Sequence, residues 1–173
     1  MDGAQAKELG DRIDAHLRSM PYSEYLVTIT AICEVLQDAY HPFLSDADIR
    51  LMSRTLTLLR SCSHSESTDI VNEAQRLWDD WSTTLDEPEE DGSEGWFAAV
   101  YTFQIVCAEL AGMTRPCSCL AFLSQAGLLL PEPGMPLGLV GLVKVDLFPP
   151  PTSPAAEELL MRIERIAREG VAR

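Results

Sequence analysis

Apolar residues recur three and four positions apart through most of this chain, the spacing that gathers them on one face of an α-helix. Leu9, Ile13 and Leu17, with charged residues between them, predict an amphipathic helix over residues 4–19 that stops near Pro21. Leu26, Ile29, Ile32, Cys33 and Leu36 predict a second over 23–40. The β-branched run from Val27 to Thr30 would also suit a strand, but the length of the pattern favours helix. Pro42 ends it, because proline disfavours helical geometry in the residue before it.

A third helix opens at Ser45. Ser45 and Asp48 stand at capping-box spacing, Asp replacing the usual Glu, and the acids of "SDADI" sit at the positive end of the helix dipole. Ile49, Met52, Leu56 and Leu59 form its stripe. In the fourth, over 67–84, Ile70, Val71, Ala74, Leu77, Trp78 and Trp81 share a face, and two tryptophans about one turn apart suit locking a helix to its neighbours. A fifth, over 95–110, is apolar nearly all round and so belongs at the centre of a bundle, with Gly112 as its C-cap.

Beyond it the pattern breaks up. A short sixth helix is expected over 117–126, then a stretch over 128–153 in which Pro and Gly recur too often for a long helix. Within that excursion "LVGLVKVDLF" could form a short strand or hairpin. The last helix is the best specified, with Ser153 as N-cap, Pro154 in the first turn, arginines late and Gly170 closing it. Leu159, Leu160, Ile163 and Ile166 face inward. The expected fold is therefore mainly α: one domain spanning 1–173, a bundle of about seven helices, with an acidic internal linker at 85–95 and the irregular Pro/Gly-rich segment before the last helix.

Composition adds a compartment and a sign. At 173 residues, 46% hydrophobic and 23% charged, the chain can bury a core of its own. The five cysteines, an odd number, and an N-terminal stretch without an apolar signal-peptide core point to reduced thiols and the cytoplasm. The longest uncharged stretches, 95–108 and 117–131, fall short of the roughly 20 apolar residues of a membrane span. The net charge is −14 and unevenly placed: residues 85–95 hold six acids and no base, whereas 96–173 hold seven acids against six bases. Such a field repels phosphate backbones and anionic lipid, so neither nucleic acid nor membrane is an expected partner. It attracts basic proteins.

Catalytic chemistry leaves little trace. His16, His41 and His64 have no second ligand at metal-binding spacing, and no phosphate loop or nucleophile elbow is present. Cys117 and Cys119 beside Arg115 could hold a reactive thiol at a helix start, although a half-buried structural pair is the simpler reading. No catalytic, cofactor-binding or metal-ligating residue is assigned, and an enzyme is the less favoured class. The candidate partner-binding residues are Trp78, Asp79, Asp80, Trp81, Asp86, Glu87, Glu89, Glu90, Asp91, Glu94 and Trp96, aromatic anchors among acids. The same acids would also suit a solvated hinge between two halves of the bundle. The expected function is that of an acidic intracellular binding protein that inhibits a basic partner, in the manner of immunity or antitoxin proteins. A helical oligomeric scaffold, and a protein with an apolar ligand pocket near Trp96, Tyr101 and Phe103, are the alternatives.

Overall fold

The structure is a computed structural model that describes residues 3–41, 44–62, 67–84, 93–113 and 154–170. These form six helices: α1 (Gly3–Ser19), α2 (Tyr22–Tyr40), α3 (Asp46–Cys62), α4 (Thr68–Thr84), α5 (Ser93–Leu110) and α6 (Pro154–Glu169). The described residues contain no strand, and the fold is mainly α. The helix expected over 117–126, the excursion over 128–153 with its strand or hairpin, and Ser153 lie outside the described residues.

Local sequence accounts for the helix ends. Ser45 Oγ accepts from the backbone N–H of Asp48 at 3.1 Å, and an Asp48 carboxylate oxygen accepts from the N–H of Ser45 at 3.0 Å. That reciprocal pair is the capping box its spacing predicts, and it starts α3. At the end of α5, Gly112 takes φ +71°, its N–H bonds the carbonyl of Glu109 at 3.0 Å, and the N–H of Met113 reaches back to Ala108 at 2.9 Å. Those two bonds make a Schellman motif. Gly170, at φ +69°, closes α6 with a single bond to Ile166.

One boundary differs from expectation. The acidic linker was expected to reach residue 95, but α5 already begins at Ser93. Ser is at ease near a helix start and Glu94 sits where the dipole favours a carboxylate, so helical geometry extends back into the acidic segment.

Packing places α5 in the interior. Every residue from Thr102 to Leu110 is buried, and the helix lies against α2, α3 and α4. A helical stretch buried all round, as residues 102–110 are, needs neighbours on several sides, in line with the apolar sequence of the helix. The centre is shared with α2, which contacts α3 and α5 and also carries α6, on which α1 packs. Leu17, Ile29, Ile32, Leu77, Trp81, Phe103 and Ile105 are fully enclosed in one core. Each aliphatic chain so buried contributes roughly 1.5–3 kcal/mol. No described helix is long and apolar enough to cross a membrane.

Candidate partner-binding surface

The candidate residues divide into core, surface and those not described. Helix α4 turns Ala74, Leu77 and Trp81 into the core, because positions 74, 77 and 81 fall on one face. Trp81 has no exposed surface. Its indole N–H donates to Thr55 Oγ at 3.4 Å and its ring lies against Phe103, the centroids 6.4 Å apart and tilted by 50°. Trp81 is thus a core residue that ties α4 to α3 and α5, and it offers a partner nothing to touch.

Trp78 is half-buried at the edge of that core. Asp79 next to it is exposed and accepts from the Gln75 amide at 3.3 Å. Asp80 is drawn the other way: Arg54 of α3 bridges Asp80 at 2.7 Å and Glu73 at 2.9 Å. The Arg54 guanidinium is held above its ordinary pKa by the hydrogen bond to Glu73, then by that to Asp80. These two acids are partly neutralised inside the protein and weigh less in the outward field than the sequence suggests. Glu94 and Trp96 lie in the first turn of α5. Asp86, Glu87, Glu89, Glu90 and Asp91 lie outside the described residues.

Two buried polar contacts had no signature in the sequence. The Tyr25 hydroxyl donates to Glu109 Oε2 at 2.8 Å, a link from α2 to α5 across 84 residues. Thr55 Oγ bonds the carbonyl of Leu51 at 2.8 Å and lies 3.5 Å from Cys107 Sγ. The sequence offered one hint, Glu109 itself, an acid within the buried second half of α5.

The thiols that can be described are not poised to react. Burial pushes the Cys107 thiol up to about 12, against the lowering contacts of Thr55 and Trp81, and burial pushes Cys33 up as well. Cys62 is raised by partial burial. A thiol held protonated is a poor nucleophile. Cys117 and Cys119 lie outside the described residues, and among the described residues no three His, Cys, Asp or Glu side chains converge as a metal site.

With the geometry in hand, comparison with known proteins assigns no relationship. No protein-family model, curated protein or solved structure matches the chain. Function therefore rests on the residues alone.

Proposed function

We propose that this chain is an acidic protein-binding module that covers or inhibits a basic partner through the C-terminal end of α4 and the acidic segment that follows it. The observation that carries the reading is the juxtaposition of Trp78, half-buried at the rim of the core, with exposed Asp79, immediately before six acids within nine residues. A ring half-seated in the core is held in place and still offers contact area, and the surrounding charge raises the encounter rate with a cation. The anchor is Trp78, since Trp81 has no exposed surface. A reducing, cytoplasmic setting suits the free thiols of Cys33, Cys62 and Cys107.

The test is affinity capture from native cytoplasm at low and at high salt, with mass spectrometry of what is retained, repeated with W78A. The expected result is a basic protein held at low salt, weakened at high salt and released by W78A, while W78A, which removes a ring half-seated in the core, melts several degrees below the parent and still unfolds cooperatively. Recovery of the protein alone would reject the reading in favour of a scaffold that associates with itself.

A further inference from the structure

We infer that the groove between α1 and α6 is a second binding site, for a small oxyanion carried on an apolar body. The groove is open, encloses about 690 Å³ and is lined by Arg12, His16, Arg165 and Arg168, with Glu8 and Glu164 between them and Leu9 and Met161 as its apolar part. In a chain of net charge −14 with its histidines neutral, a groove lined by three arginines against two glutamates is one place where the acid excess does not extend.

The arrangement of those arginines resembles a receptor more than a set of closed pairs. Glu164 is the least exposed charge in the groove, its side chain only 12% accessible, and it faces both helices. Its Oε1 lies 3.9 Å from Arg12 Nε and its Oε2 lies 3.6 Å from Arg168 Nη1. Both distances exceed a hydrogen bond, so Glu164 aligns the two guanidiniums electrostatically without consuming their donors. Arg12 is further steadied by Glu8 at 3.2 Å and Arg168 by Glu169 at 2.8 Å, yet each side chain keeps about half of its surface exposed. Each guanidinium has five N–H donors, so several on Arg12 and Arg168 still face solvent.

Arg165, exposed on the same groove, has no ion pair or hydrogen bond with any described residue. An oxyanion in the groove would meet one unengaged guanidinium and two pre-aligned ones, the planar forks that suit carboxylate or phosphate. Leu9, buried at the base, and Met161, 47% exposed at the edge, offer contact to an apolar tail. The site is separate from the α4 surface, since α1 packs on α6 and α4 packs on α3 and α5.

The probes are hexyl phosphate, hexanoate and hexanol, titrated calorimetrically into the full chain at low ionic strength. Saturable binding of hexyl phosphate or of hexanoate is expected, the tighter of the two identifying the oxyanion, with R165Q weakening it at least tenfold and M161A weakening it by a smaller factor. R60Q, on α3 and paired with Glu34, should leave it unchanged. Because Arg165 is exposed and without a described partner, R165Q should melt with the parent, which separates lost binding from lost fold. The inference is overturned if neither anion binds, if hexanol binds as well as the anions, or if R165Q binds like the parent.

Discussion

Glu109 is 9% exposed and accepts a hydrogen bond from the hydroxyl of Tyr25, a residue only 1% exposed. Taking a carboxylate out of water is unfavourable unless donors replace the water, so the tyrosine hydroxyl is part of what makes Glu109 tolerable there. Replacing Tyr25 by Phe should destabilise the protein by about 1.5–3 kcal/mol, the usual worth of a hydrogen bond to a charged group. Glu109→Gln keeps an acceptor oxygen and the side-chain volume, and should cost less than Glu109→Ala. Urea denaturation of the three variants checks the order; a Tyr25→Phe protein as stable as the parent would show the bond to be incidental. The contact was illegible in the sequence because its partners are far apart along the chain, and periodicity reports which face a residue occupies but not which residue it meets.

Helix ends were the most legible part, since the groups that make a cap lie within a few residues of one another. Ser45 and Asp48, Gly112 and Gly170 each stand where their residue types imply. Their energetics can be separated. An added Cβ at Gly112 would meet nothing within 4 Å, so Gly112→Ala is penalised only by its left-handed backbone, by about 1–2 kcal/mol. Ser45→Ala removes half of the capping box and should cost about 1 kcal/mol. The two sites end different helices, so the double variant should lose the sum to within about 0.5 kcal/mol. Thermal melts of the two single variants and the double test this, and an additivity failure beyond that margin would show that α3 and α5 are coupled through their ends. Composition was a weaker guide to the start of α5, because an acid run reads as loop while the dipole of a following helix favours acids in its first turn.

Across the whole molecule, the charges visible in the structure and the charges counted in the sequence pull in opposite directions when salt is added. Arg54 with Glu73 and Asp80, and Arg60 with Glu34, are exposed or half-exposed pairs that screening weakens. Each contributes roughly 0–1 kcal/mol. Against them stands the mutual repulsion of a net charge of −14, which screening relieves. Few pairs of small individual worth oppose a repulsion that every excess acid shares, so relief should win and the melting temperature should rise between low ionic strength and about 0.5 M salt, where the Debye length falls below roughly 5 Å. Converting Asp86, Glu87, Glu89, Glu90, Asp91 and Glu94 to their amides lowers the net charge from −14 to −8, six charges fewer. That variant should melt at or slightly above the parent at low salt and gain less from added salt. A melting temperature that falls with salt in the parent would mean that the ion pairs dominate. A collapse of the amide variant would mean that the acidic segment is held by the fold, and that its carboxylates are engaged within the protein rather than offered to a partner.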